Sequence, residues 1–208
     1  ETFVSTFGTT YDKPRDASMA WWTGNRIPYQ SGLQFRHKER LKNGIDLVVG
    51  GNFNYDHGYM GPAIEDSIIM ASPYADTVSN FTNKQMASKR ARINFNMRFR
   101  AKKIRGLSYG INGNAMLSET NMVFAWLGDS TDLFRAYPGA SFLQKQTIFN
   151  LDPYIIFNTQ ANGKHSLRGR VLYSDNEMTA NQSNNATTYF ADYSFGKKYV
   201  NLANLEFI

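Results

Sequence analysis

The sequence has 208 residues, which is enough for one domain of ordinary size or for part of a larger one. Apolar residues make up 42% of the chain and charged residues 19%, and this balance excludes a disordered or highly charged tail. The absence of cysteine excludes disulfide frameworks, thiol catalysis and cysteine-ligated zinc sites.

The formal net charge of +6 raises the question of nucleic-acid binding, because a basic surface attracts phosphate. In the densest basic stretch, residues 89–105, apolar side chains alternate with the arginines. That pattern indicates the charged face of a β-strand, so we expect no nucleic-acid partner. The sequence has no run of 18 apolar residues, which excludes a transmembrane helix. Spanning strands remain open, because their side chains face lipid only at every second position.

Alternating apolar and polar residues predict seven β-strands, which in chain order are 32–39, 45–55, 90–101, 107–118, 146–158, 166–174 and 189–195. The third is the clearest, since every odd-numbered residue from Ala91 to Ala101 is apolar. Its length exceeds the roughly 5–6 residues of a strand in a soluble protein and suits the roughly 9–11 of a strand that crosses a bilayer. Pro153 lies inside the fifth segment, where its missing N–H predicts a bulge or weakened pairing.

The predicted connections alternate in length. Short turns are expected near 42–44, 102–105 and 161–164, and long polar loops near 57–84, 119–143 and 176–186. Two of the short turns contain Asn-Gly, which supplies the positive φ angles that tight hairpins require. Outer-membrane barrels place short turns on the periplasmic side and long loops outside. The sequence therefore predicts an all-β fold, in which residues 1–208 form an antiparallel segment of about 7–8 strands from a larger transmembrane β-barrel.

Seven charged residues share the polar side of these strands, and in a wide barrel they would face a wet lumen: Arg92, Arg98, Arg100, Asp152, Arg168, Arg170 and Asp192. We interpret them as a structural ion-pair lattice in preference to a substrate site. Large aromatic residues of the outer loops are candidates for substrate contact, because flat rings stack on sugars, although they also suit packing within the loops. They are Trp126, Phe134 and Tyr137, with Trp21, Trp22 and Phe124 nearby.

Several motifs, in this order and spacing, resemble the barrel of SusC/RagA-type TonB-linked outer-membrane transporters. One is Asn150-Leu151-Asp152-Pro153-Tyr154, followed by Gly-Lys-His-Ser-Leu-Arg-Gly-Arg at 163–170 and Tyr-Ser-Asp-Asn at 173–176. Another is Arg-Ile-Asn-Phe-Asn at 92–96, leading through a basic turn to Arg-Gly-Leu-Ser-Tyr-Gly at 105–110. The family's preceding hairpin is also similar to residues 46–51 and 56–59 of this chain, and Trp-Trp at 21–22 comes before it in the same order. The resemblance covers about residues 20–200.

The resemblance implies a plugged barrel of about 22 strands that imports glycans or peptides across the bacterial outer membrane. It further implies a SusD-type surface lipoprotein as partner, contact with the TonB complex through a plug, and outer-membrane lipid around the barrel, but no cofactor. The plug is not among these residues, and the chain begins without a methionine or signal peptide. We therefore expect a segment of a longer protein.

Three alternatives remain. A soluble β-sandwich acting as a glycan-binding module would cover its apolar face with a second sheet. A self-contained eight-stranded barrel would require a last strand from 200–208. A membrane-embedded enzyme would need converging catalytic groups, yet His37, His57 and His165 lie far apart in sequence and no nucleophile or metal motif is present. We therefore expect no catalytic residue, no metal site and no enzyme activity.

Overall fold

The computed structural model describes residues 1–12, 15–19, 27–42, 44–58, 87–131, 133–137, 141–179, 182–199 and 205–207. Within these residues nine strands form a single antiparallel sheet, and each strand pairs with the next one along the chain. They are β1 (Thr2–Thr10), β2 (Tyr29–Arg40), β3 (Ile45–His57), β4 (Ser88–Arg100), β5 (Leu107–Val123), β6 (Ser141–Asn158), β7 (Gly163–Met178), β8 (Asn184–Tyr199) and β9 (Leu205–Phe207).

The prediction of an all-β antiparallel sheet is confirmed, and the seven predicted segments correspond to β2–β8. Strand β1 was not predicted, because its few apolar residues fall on both sides, Phe3 and Phe7 on one and Val4 on the other, and leave little alternation. In the described part of the chain β9 pairs with β8 and not with β1, so the sheet is not closed. The alternative of a self-contained eight-stranded barrel is therefore not supported. The helical element of the described chain is one 3₁₀ turn, Ala17–Met19, and no helix there is long and apolar enough to cross a membrane.

Two of the expected long loops are shorter than predicted. The loop expected at 119–143 shrinks to 124–140, and the loop expected at 176–186 shrinks to 179–183, because the flanking strands continue. Polar residues extend these strands by pairing across them: Asn176 accepts a 2.7 Å hydrogen bond from Gln146 and donates a 2.9 Å bond to Asn184. A polar sequence on both faces resembles a loop, yet amide side chains that meet across strands maintain the ladder.

The connections lie at two ends of the sheet. The short-turn end carries 41–44, 101–106 and 159–162, whereas the long-loop end carries 11–28, 58–87, 124–140 and 179–183. Gly44, Gly106 and Asn162 adopt positive φ angles in the short turns, as hairpins of this size require. Most of the loop expected at 57–84 lies outside the described residues, as do Trp21 and Trp22.

Each strand pair keeps one register along its length, so side chains separate cleanly onto two faces. Odd-numbered residues of β2–β8 form the apolar face, which includes the series Ala91 to Phe99 of β4 and Leu107 to Leu117 of β5. Even-numbered residues of the same strands form the polar face. All seven charged residues singled out from the sequence belong to that polar face.

Pro153 causes no bulge. The pairs Leu151–Val171 and Tyr154–Arg168 stand in the same register on either side of it, although backbone pairing between β6 and β7 lapses at residues 152 and 153. The lapse follows from the missing N–H of proline. The expected weakening of the ladder is therefore present, and the expected bulge is absent.

Buried apolar side chains among the described residues lie toward the long-loop end rather than under the sheet: Met19, Pro28, Ala87, Ala136 and Leu143. Two of the loops there are joined by a 2.9 Å hydrogen bond from the Leu133 N–H to the Ser18 carbonyl. In contrast, the apolar face is left open, with Ile93 52% and Leu117 61% exposed. All described strands belong to the one sheet, so the second sheet that a sandwich would need is not found in the described part of the chain.

Candidate functional site

The polar face carries a large excess of positive charge. Among the described strand side chains of β2–β8 it presents ten cations, namely Arg36, Lys38, Arg40, Arg90, Arg92, Arg98, Arg100, Lys164, Arg168 and Arg170. It presents four carboxylates, namely Asp46, Asp56, Asp152 and Asp192. The surplus of six is as large as the formal net charge of the whole chain, +6. The charge asymmetry of the protein is thus concentrated on one side of the sheet.

Asp46 holds the densest part of this network. Arg98, its direct cross-strand neighbour, donates to Oδ2 from Nε at 3.0 Å and from Nη2 at 2.7 Å. Arg100 approaches the same oxygen with Nη2 at 2.7 Å, and Arg40 on the opposite neighbouring strand brings Nε to 3.4 Å from Oδ1. Three guanidiniums thus share one carboxylate, so the group carries two more positive than negative charges.

Asp152 and Arg170 form a bidentate pair, with Nε to Oδ1 and Nη2 to Oδ2 both at 2.8 Å. These two residues lie opposite each other at the position where Pro153 interrupts the backbone pairing of β6 and β7. A fork-to-fork pair of this geometry links the two strands through side chains where the backbone ladder lapses.

The remaining charged residues singled out from the sequence are not ion-paired in this way. Arg168 and Asp192 are direct cross-strand neighbours, yet no ion pair within 4 Å joins either of them to a described residue. Arg92 instead donates from Nε to the side-chain oxygen of Asn114. The ion-pair lattice interpreted from the sequence is thus formed by some of these residues and leaves Arg168 without a counter-ion among the described groups.

Four aromatic rings at the long-loop end form two edge-to-face pairs. Trp126 and Phe134 contact each other edge to face with ring centroids 5.5 Å apart, and Phe124 meets Phe142 in the same manner at 5.5 Å. Backbone hydrogen bonds, among them Tyr137 N–H to the Ala125 carbonyl at 2.9 Å, close this loop as a small hairpin. Both rings of the first pair are half-buried. Tyr137 is 45% exposed and is the most accessible of the three candidates.

The apolar face has polar or aromatic borders at both ends. Toward the long-loop end the charges alternate in sign across β4–β7, as Lys89, Glu119, Lys145 and Glu177 are successive cross-strand neighbours, with Lys89 Nζ 3.4 Å from Glu119 Oε1. At the short-turn end the rings of Phe99 and Tyr109 stack at 5.3 Å, and those of His165 and Phe195 lie 4.7 Å apart. The exposed apolar band is thus bounded above and below.

Asp46 is the charged residue at the centre of this network that the sequence-based selection missed. Its signal was its place on the polar side directly after a tight turn, but only the register brings Arg98 and Arg100 to it. The described residues contain no group of three or more metal-ligating side chains. Comparison of the chain with known protein families, with curated proteins and with solved structures finds no match.

Proposed function

We propose that this chain forms part of the wall of an outer-membrane β-barrel of the SusC/RagA type, through which glycans or peptides are imported. The observation that carries the proposal is a single sheet of long strands with an exposed apolar face on one side and a charged, polar face on the other. In such a barrel the apolar face meets lipid and the polar face lines the lumen.

The height of the apolar face agrees with this function. On β5 it extends over eleven residues from Leu107 to Leu117, which are separated by ten residue steps along the strand. At about 3.3 Å per residue this is roughly 33 Å, and a tilt of about 40° reduces it to roughly 25 Å along the membrane normal. That value equals the height of about 25 Å that the apolar band of outer-membrane barrels spans.

The borders of the apolar face support the same arrangement. Stacked aromatics such as Phe99 and Tyr109 suit the interfacial girdle of a barrel, and the alternating charges that begin at Lys89 suit the headgroup region on the other side.

The two free edges of the described sheet require further strands, which we assign to the rest of a longer polypeptide that completes a barrel of about 22 strands. The plug, the TonB complex and a SusD-type lipoprotein complete the proposed transporter. Among the described loop aromatics, Phe124 and Tyr137 are the best placed to contact the substrate or this lipoprotein, since they are 70% and 45% exposed.

The test uses the full-length protein that contains this chain. Membrane fractions are extracted with and without detergent, and gel mobility is compared before and after heating. We expect extraction only with detergent and a slower band after boiling, as folded barrels unfold on heating. A monodisperse protein that stays in solution without detergent would reject the barrel and favour the soluble β-sandwich module.

A further inference from the structure

A hollow of about 710 Å³ opens on the polar face between β4 and β8. Its lining includes three arginines, two aromatic rings and two amides, namely Arg98, Arg168, Arg170, Tyr154, Phe190, Asn96 and Asn112. The volume lies within the range of roughly 300–1,000 Å³ that is typical of small-molecule sites. The hollow is therefore large enough for an organic ligand rather than a single ion.

The charge of this lining is unbalanced. Against its three arginines it holds one carboxylate, Asp152, which is already bound to Arg170 through both oxygens. Arg98 is directed to Asp46, where two other guanidiniums compete for the same oxygens. Arg168 makes no ion pair with a described residue. An arginine fork with free donors binds carboxylates and other oxyanions in bidentate geometry.

The aromatic rings indicate a ligand with flat apolar faces. Phe190 is 58% exposed although it lies among polar residues, and it occupies the side of the sheet opposite to the apolar band. The ring of Tyr154 covers Gly110, where a Cβ would come within 2.6 Å of the ring, so the missing side chain of this glycine leaves room for it.

We propose that this hollow binds an acidic saccharide, with Arg168 and its neighbours holding a carboxylate or sulfate and Phe190 and Tyr154 packing against the C–H faces of the sugar rings. The inference deepens the proposed function and rests on it in one respect: the hollow opens to lumen water only if the polar face lines a barrel. It narrows the imported material from glycans and peptides to anionic glycans.

The experiment measures binding of trigalacturonate to the full-length protein in detergent by titration calorimetry. The neutral methyl ester of the same trisaccharide tests whether binding requires the negative charge. A trisaccharide that carries sulfate in place of carboxylate groups tells a carboxylate site from a general oxyanion site. We expect at least tenfold weaker binding of the methyl ester and a further fall in affinity with added salt. Equal binding of the acid and the ester would overturn the proposal.

Matched variants locate the site. Arg168→Gln removes a guanidinium of the hollow that has no ion pair with a described residue. The control, Arg36→Gln, removes another polar-face arginine that also has no ion pair with a described residue but lies outside the hollow. We expect about tenfold weaker binding for the first and an unchanged affinity for the second. Phe190→Leu, which retains bulk but removes the ring, is expected to weaken the acid and the ester equally. Equal losses from both arginine variants would mean general electrostatic attraction and would overturn the proposal.

The heat-dependent gel shift is measured on every variant and separates the two hypotheses. A protein that shows the shift but does not distinguish acid from ester retains the barrel and loses the anionic site. A protein that binds the acid through Arg168 but shows no gel shift retains the anionic site and loses the barrel. The site then belongs to a protein that is not an outer-membrane transporter.

Discussion

Replacing Ile93 with arginine places a guanidinium near the middle of the apolar face on β4, two residues from Phe95. If this face meets lipid, the substitution costs about 2–4 kcal/mol, because a charge at the bilayer midplane must be dehydrated or must distort the bilayer. That cost is a roughly 30- to 1,000-fold change in the folding equilibrium. Ile93 is 52% exposed in the sheet, so in water the same substitution would change stability by no more than about 0.5 kcal/mol.

Leu117→Arg is the matched control. Leu117 is an aliphatic residue of the same face and is 61% exposed, but it lies two residues from Glu119 in the charged border. Near the interface the cost falls to about 0–1 kcal/mol. Urea titrations of the full-length protein in lipid vesicles, followed by the heat-dependent gel shift, give both unfolding free energies. The reasoning is refuted if Ile93→Arg and Leu117→Arg destabilise the protein equally.

Two further pairs of variants test the contacts of the sheet. Asp152→Asn breaks the bidentate pair beside Pro153 and is expected to lower the urea midpoint of unfolding measurably. Asp192→Asn changes a carboxylate without an ion pair among the described residues and should leave the midpoint unchanged. Equal midpoints for the two variants would contradict a linking role for the Asp152–Arg170 pair. Gly106→Ala should destabilise by at least about 1–2 kcal/mol, because φ is +83° and a side chain there would collide with the Asn158 carbonyl. In the control Gly8→Ala the added methyl group meets no atom within 4 Å, so the substitution should be neutral or stabilise the protein by about 0.4–1 kcal/mol. A similar loss of stability at both glycines would show that the turn conformation at Gly106 is not the cause.

The ends of the strands could not be predicted well from the sequence. In β7 and β8 the residues around Asn176 and Asn184 are polar on both faces, and this composition is shared by loops and by hydrated strand ends. The decision depends on whether an amide meets a partner across the strand pair, as Asn176 does. Strand β1 escaped prediction for a related reason, since pairing with β2, not alternation, holds it in the sheet.

The residues of the candidate site were predictable as a set but not as contacts. Every arginine and aspartate singled out from the sequence lies on the polar face, because side chains of a strand alternate with a period of two. The partners depend on register, so Asp46 gathers arginines from two strands while Arg168 and Asp192 remain apart as direct neighbours.

The sequence by itself determined that this protein is built of long antiparallel strands with one apolar and one charged face, because periodicity and tight-turn residues are local properties of the chain. Only the tertiary structure decided that Pro153 causes no bulge, that one carboxylate serves three guanidiniums, and that three arginines and two rings enclose a hollow. These features arise from residues far apart in sequence, and their positions follow from the register and curvature of the assembled sheet, which no local pattern encodes.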